Sequence, residues 1–160
     1  MWLLMVVLPM ISPRGFRLDG SGAAFYQSVL AIIAALVVLH VIVLRASLTT
    51  SAPSKALILI PIGLLLLILG NLMGKLRKNF FIGIRTPWTL ASDEVWSRTN
   101  RLGGRLFVLG GLAVIACSLF PGPSLPVILT VVALAAGVPV IYSYLLYRRI
   151  EGFGPNGQES

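Results

Sequence analysis

Apolar residues dominate this chain in long, almost uninterrupted runs that are separated by short polar stretches. A transmembrane helix needs roughly 17–25 mostly apolar residues, because the hydrocarbon core of a bilayer is about 30 Å thick. Four runs can meet this length. The third does so if it begins at Gly104, because the side chain of Arg105 can snorkel to the headgroups. We therefore predict an all-α integral membrane protein, a bundle with four full spans over residues 23–44, 56–73, 104–120 and 125–147.

The first apolar run, Met1–Ile11, is too short for a full span. As a helix it would measure about 16 Å at 1.5 Å per residue. It has neither a positively charged leading segment nor a clear small-residue cleavage site, so it does not resemble a signal peptide. We expect a short N-terminal apolar helix that crosses only part of the membrane, and a single membrane domain over residues 1–160.

Composition supports a membrane protein and excludes several other classes. The chain is 57% hydrophobic and 11% charged, whereas soluble domains are about 25% charged. Its net charge of +8 comes from a shortage of acids and from cations beside apolar runs, which is typical of cytoplasmic loops and points to lipid contact rather than to direct nucleic-acid binding. The single cysteine, Cys117, lies in an apolar run, and no Cys/His metal spacing occurs, so we expect no disulfide within the chain, no metal and no cofactor.

Cations lie mainly on one side of the predicted spans. If Met1–Ile11 crosses, that side holds eleven of them: Arg14, Arg17, Lys75, Arg77, Lys78, Arg85, Arg98, Arg101, Arg105, Arg148 and Arg149. The other side holds only Arg45 and Lys55. Lys and Arg are enriched in cytoplasmic loops. We therefore predict a multi-pass plasma-membrane protein with the long basic loop and the C-terminus in the cytoplasm and the N-terminus outside.

The long loop between the second and third spans combines basic and aromatic segments. Its first part, Lys75–Asn79, suits anionic headgroups, which attract each nearby cation by about 1 kcal/mol. The following segment, Phe80–Leu90, surrounds Arg85 with apolar and aromatic residues, and we expect it to lie at the membrane interface or against helix ends, with Trp88 at headgroup level. Two alternatives remain open for Arg85: its guanidinium binds a carboxylate or phosphate ligand, or it contacts helix-end carbonyls or the acids that follow in the loop.

The end of the loop predicts an amphipathic interfacial helix that leads into the third span. Ser92 can serve as its N-cap. Asp93 and Glu94 occupy the first turn, where the helix dipole favours anions, and Glu94 can pair with Arg98 one turn later.

No arrangement of side chains in the sequence indicates catalysis. The sequence offers no catalytic triad, metal-ligand set or phosphate-binding glycine loop, and Asp93 and Glu94 point in different directions on a helix. We therefore expect a protein that is not an enzyme. The Gly70-x-x-x-Gly74 pattern permits close helix approach, which we assign to packing within the chain rather than to a dimer.

The loop motif resembles the SdpI-type membrane immunity family, with the best match over residues 70–120. The matching residues are Gly70, Asn71, Met73, Lys75, Asn79, the run Gly83–Leu90, Val95, Trp96, Thr99, Arg101 and Gly104. The resemblance implies a candidate functional surface formed by Asn71, Lys75, Asn79, Gly83, Arg85, Thr86, Pro87, Trp88, Thr89, Trp96, Thr99 and Arg101.

The resemblance implies a membrane protein that protects its cell against a secreted membrane-active toxin peptide. In the best-known case such a protein, with toxin bound, also holds a cytoplasmic autorepressor at the membrane and so induces its own operon. A toxin peptide and a repressor protein are therefore the implied partners. Two departures stand out: family members commonly carry His at the position of Asn100, and longer members have an additional N-terminal span, so this is a shorter form or its start is chosen too late.

Three other functions remain as alternatives. A small membrane transporter would use broken helices that meet near the bilayer midplane, and Pro61 and Pro139 fall within spans. A lipid-phosphate-handling membrane protein would hold its phosphate with Arg85. A purely structural role would use the Gly70 face for assembly.

Overall fold

The computed structural model describes residues 22–49, 51–79, 81–122 and 124–151. The predicted partial span Met1–Ile11 and the cations Arg14 and Arg17 lie outside this part of the chain. The described elements are all helical: α1 Gly22–Thr49, α2 Lys55–Met73, α3 Pro87–Ala91, α4 Asp93–Leu119 and α5 Leu125–Ile150.

Four of these helices, α1, α2, α4 and α5, are long and apolar enough to cross a membrane. The prediction of an all-helical protein with four helices able to span a membrane is confirmed for the described residues. Helix α1 runs five residues beyond the predicted end of its span, and two hydroxyls bond back to carbonyls in its last turns. Ser47 Oγ donates to the carbonyl of Val43 at 3.0 Å, and Thr49 Oγ1 donates to that of Arg45 at 2.8 Å.

The structure changes one prediction about α4. Instead of an interfacial helix followed by a span over residues 104–120, one continuous helix runs from Asp93 to Leu119. The face predicted to lie on the membrane is buried in the protein, because Val95 and Trp96 are 0% and 2% exposed. Ser92 occupies the N-cap position as predicted, but its side chain makes no capping hydrogen bond.

Helices α2 and α4 pack antiparallel through two pairs of glycines. A Cβ atom added at Gly70 would lie 2.6 Å from the carbonyl oxygen of Gly104, and one added at Gly63 would lie 2.9 Å from that of Gly111. Both helices repeat their glycine after seven residues, which keeps the contact on one face over two turns. The assignment of Gly70 to packing within the chain is confirmed, although its partner is α4 and a Cβ at Gly74 would meet nothing within 4 Å.

The remaining two spans pack on the outside of this pair. Helix α1 packs on α2, and α5 packs on α4, where a Cβ at Gly110 would lie 2.6 Å from Val131 Cγ1. At the end opposite the long loop, Lys55 Nζ donates to the carbonyls of Phe120 and Gly122, at 2.9 and 3.0 Å. This lysine therefore ties the start of α2 to the segment that follows α4.

Buried and exposed apolar side chains occupy different parts of the molecule. Large buried side chains gather near the long loop: Phe25, Leu72, Met73, Leu76, Val95 and Trp96. Toward the other end, leucines and valines of α1, α2, α4 and α5 point outward, including Leu36, Val43, Leu64, Leu112 and Leu129. Such continuous apolar exposure is unfavourable in water and suits contact with lipid chains.

Candidate functional site in the basic loop

The loop between α2 and α4, residues 74–92, begins with a turn organised by Asn79. This side chain is 1% exposed. Its Oδ1 accepts hydrogen bonds from the backbone N–H groups of Phe81 and Ile82 at 2.8 and 2.9 Å, and its Nδ2 donates to the carbonyl of Arg77 at 2.7 Å. Asparagine stabilises turns by bonding nearby backbone groups in this way. Asn79 is therefore a structural member of the motif.

A second asparagine, Asn100 on α4, forms hydrogen bonds that hold the next part of the loop against this helix. Its Oδ1 accepts from the backbone N–H of Ile84 at 2.8 Å, and its Nδ2 donates to the carbonyl of Trp96 at 3.1 Å. The neighbouring Gly83 has a φ of 115°, and a Cβ there would lie 2.7 Å from Asn100 Oδ1. Both the backbone conformation and the close approach require glycine at this position.

Thr86 and Thr89 start the short helix α3 through a reciprocal capping box. The Thr89 N–H donates to Thr86 Oγ1 at 3.2 Å, and the Thr86 N–H donates to Thr89 Oγ1 at 2.9 Å. Pro87 occupies the start of the helix, where its fixed φ is favourable and no backbone donor is lost. Thr86 Oγ1 also lies 3.0 Å from Ser143 Oγ of α5, so this cap joins the loop to the last span.

Two tryptophans hold the loop against the helices on either side. Trp96 Nε1 donates to the carbonyl of Leu76 at 2.9 Å, which links α4 to the residues just after α2. The Trp88 ring packs edge-to-face on Tyr144 of α5, with centroids 5.1 Å apart and planes at 69°. Aromatic pairs prefer this geometry, and the contact accounts for the Trp88 ring without a ligand.

The structure divides the predicted surface into two groups. The buried or half-buried members are Asn79, Gly83, Thr86, Trp88, Thr89, Trp96 and Thr99, and the exposed ones are Asn71, Lys75, Arg85, Pro87 and Arg101. Thr99 is 0% exposed, and its hydroxyl has no hydrogen-bond partner among the described residues. The first group lies inside the loop structure, and the second lies on its surface.

One face of α4 changes from charged to apolar along its length. Arg98, Arg101 and Arg105 are exposed at spacings of three and four residues, and exposed Leu109 and Leu112 continue the same side of the helix. In a membrane helix this change marks the hydrocarbon boundary, to which arginine snorkels. Asp93 precedes Arg105 by twelve positions, so the start of α4 extends about 18 Å beyond that boundary.

The two acids at the start of α4 pair with cations. Asp93 Oδ1 lies 2.6 Å from Lys78 Nζ, and Glu94 pairs with Arg98 as its spacing predicted. Arg85 is exposed at the edge of the buried motif. Within the described residues, no group of three His, Cys, Asp or Glu side chains could hold a metal ion.

Sequence reasoning missed two residues that build the site. Asn100 was noted only as a departure from the family pattern, and Ser143 was not noted. Ser143 is a polar residue on an apolar helix, and this signal could have identified it, since such residues need a hydrogen-bond partner when they are buried. Asn100 lies between Thr99 and Arg101, so the sequence gives no such signal there.

Together, the four apolar helices and the basic loop between the second and third of them define a multi-pass membrane protein with a folded polar segment outside the bilayer. Residues 75–143 match the profile of the SdpI/YfhL protein family. The predicted resemblance to the SdpI-type family is confirmed over this segment. The match covers the loop, α4 and most of α5.

A comparison with an individual protein supports the same family resemblance. The chain is 36% identical over 92 residues to the immunity protein SdpI of Bacillus subtilis (strain 168). The aligned part is 57% of this chain and 44% of that protein, so the chain spans less than half the length of its relative. No solved structure matches the chain.

Proposed function

We propose that this chain is a membrane immunity and signal-transduction protein that protects its cell against a secreted membrane-active toxin peptide. The observation that carries the proposal is the family match, which includes the entire hydrogen-bonded loop. The relative named as an immunity protein supports the same role. In this proposal, the spans and the short segments at the opposite end engage the toxin.

The basic loop serves as the cytoplasmic platform for a repressor protein. Its buried motif residues give the segment a fixed shape, and its exposed residues Lys75, Arg85 and Arg101 surround that shape with positive charge. A surface of this kind favours an acidic protein partner, because complementary charge increases the rate and specificity of association. Capture of an autorepressor here would remove it from DNA and induce the operon.

Charge asymmetry supports the proposed orientation. Among the described residues, nine cations lie at the loop end, and only Arg45 and Lys55 lie at the other end. This distribution favours a cytoplasmic loop and C-terminus in the plasma membrane. The N-terminus lies outside if Met1–Ile11 crosses.

The loop geometry favours binding over catalysis. The two acids that follow Arg85, Asp93 and Glu94 at the start of α4, form ion pairs with Lys78 and Arg98. The buried hydroxyls of Thr86 and Thr89 form a helix cap. These groups stabilise the loop, so we assign the exposed surface to recognition and propose no reaction.

Survival of a toxin-sensitive Gram-positive host tests the proposed function. Cells that express the chain and cells with an empty vector are challenged with a panel of membrane-active toxin peptides. We expect the chain to raise the lethal concentration of at least one peptide severalfold. Equal killing of both strains by every peptide, with the chain present in the membrane, would contradict the immunity role.

A further inference from the structure

A cleft of about 530 Å³ opens between α1 and α2 at the end of the molecule opposite the basic loop. Its apolar wall includes Val41, Ile42 and Leu57, and its polar residues include Arg45 and Ser54. The motif loop contributes no residue to this lining. The cleft therefore requires a function separate from the one proposed for the basic loop.

The cleft lies at the boundary of the hydrocarbon core. Helix α2 measures about 29 Å from Lys55 to Met73 at 1.5 Å per residue, which matches the thickness of that core. On α1, Ser28 lines a cavity together with Met73, and Arg45 follows Ser28 by seventeen residues, about 26 Å. Arg45 is therefore at headgroup level when α2 spans the core.

Among the described residues, no acidic side chain forms an ion pair with Arg45 in the cleft. The sequence holds no Asp or Glu between residues 20 and 92 or between 95 and 150, so no described acidic side chain lies at this end. The other cation there, Lys55, donates to the carbonyls of Phe120 and Gly122. An anion that pairs with Arg45 must come from outside the described chain.

The hydroxyl groups show where that anion can bind. Thr49 and Ser51 bond to each other at 2.8 Å, and Thr49 also donates to the carbonyl of Arg45. Ser54 Oγ accepts from the N–H of Leu57, which leaves the Ser54 proton for another acceptor. Arg45 and Ser54 are thus the available donors beside the apolar wall.

We propose that this cleft binds a phospholipid, with the phosphate on Arg45 and Ser54 and an acyl chain along Val41, Ile42 and Leu57. The guanidinium fork matches two phosphate oxygens, and phosphates lie at the depth that Arg45 occupies. A peptide carboxylate carries the same sign of charge, but the wall below Arg45 suits a ligand with a long apolar chain beneath its anionic group.

Native mass spectrometry of the purified full chain tests this assignment. The protein is presented with dioleoylphosphatidylglycerol, or with dioleoylglycerol, which has the same acyl chains without phosphate. We expect retention of the phospholipid but not of dioleoylglycerol. Arg45→Gln should lower retention about tenfold, because hydrogen bonds to charged groups are strong, and Leu57→Trp should lower it by filling the cleft. Arg98→Gln removes the same charge at the opposite end and should leave retention unchanged.

Several outcomes would overturn the proposal. Equal retention by the unmodified chain and by Arg45→Gln, with unchanged helicity and elution, would remove the phosphate site. Equal binding of glycerophosphate, which lacks acyl chains, would assign the cleft to a free anion. If Arg45→Gln abolished toxin protection while phospholipid retention stayed the same, the cleft would belong to the toxin peptide.

Discussion

Asn79, Asn100 and Thr89 show that many residues in and next to the family motif stabilise the conformation of one loop. Each is at most 1% exposed, and each bonds to backbone groups of the loop. A motif of this kind constrains sequence because a buried polar group without its partner costs about 1–3 kcal/mol. The residues available for recognition are therefore fewer than the motif suggests.

Replacement of Gly83 by alanine tests the loop conformation. The added Cβ would meet Asn100 Oδ1 at 2.7 Å and would have to adopt a φ of 115°. Gly83→Ala should therefore destabilise the protein by about 1–3 kcal/mol, measured as a lower midpoint of thermal unfolding in detergent. The control is Gly74→Ala, where φ is −68° and the Cβ meets nothing within 4 Å. Equal midpoints for the two variants would refute this description of the loop.

Replacement of Asn100 tests whether its side chain holds the loop against α4. Asn100→Leu keeps a similar volume but leaves the N–H of Ile84 without its acceptor, so we expect a loss of about 1–3 kcal/mol and faster proteolysis within residues 74–92. Asn71→Leu provides the comparison, because Asn71 is exposed at the end of α2. Unchanged protease resistance in Asn100→Leu would show that this side chain does not hold the loop.

At the residue scale, the sequence predicted local contacts better than distant ones. The Glu94–Arg98 pair and the N-cap position of Ser92 follow from spacing along one helix. By contrast, the bonds of Trp96 to Leu76 and of Thr86 to Ser143 cross 20 and 57 residues. Such contacts depend on how the helices pack, which a hydropathy pattern does not specify.

At the scale of elements, the sequence predicted which segments form long helices, but it did not predict where those helices begin and end. Apolar length identified the four helices in the described residues that are able to span a membrane. However, the predicted interfacial helix and the third span form one continuous helix, α4, and the glycines at 103 and 104 lie inside it. They are buried there against Met73 and Gly70, so tertiary packing outweighs the weak helix propensity of glycine.

The glycine contact between α2 and α4 can be tested with a single methyl group. Gly70→Ala places a Cβ 2.6 Å from the Gly104 oxygen, and overpacking of this kind costs about 1–3 kcal/mol. Gly137→Ala in α5 meets nothing within 4 Å and should be neutral or slightly stabilising, because alanine favours the helix. The comparison uses unfolding midpoints of both variants in the same detergent. A larger loss in Gly137→Ala would contradict the helix pairing.

At the scale of the whole molecule, the two ends differ in charge and in architecture. The loop end has the larger buried side chains and a hydrogen-bonded loop, whereas the other end has short connections and the cleft beside Arg45. In the proposed function, these ends correspond to the cytoplasmic and outer faces of one membrane protein.

Sided labelling of cysteines tests this orientation. In a Cys117→Ala background, Lys75→Cys and Ser51→Cys place one exposed thiol at each end. A membrane-impermeant maleimide added to intact cells should label Ser51→Cys and should reach Lys75→Cys only after the membrane is opened. The reverse pattern would place the basic loop outside and would exclude a cytoplasmic platform.

Toxin survival with a matched pair of arginine variants tests the central claim most directly. Arg101 belongs to the family motif and Arg98 does not, yet both are exposed on α4 within one turn of each other. At equal amounts of inserted protein, we expect Arg101→Ala to lose severalfold protection and Arg98→Ala to retain it. Full protection by both variants would contradict a functional role for the exposed motif surface, and equal sensitivity of the unmodified chain and the empty vector would contradict immunity itself.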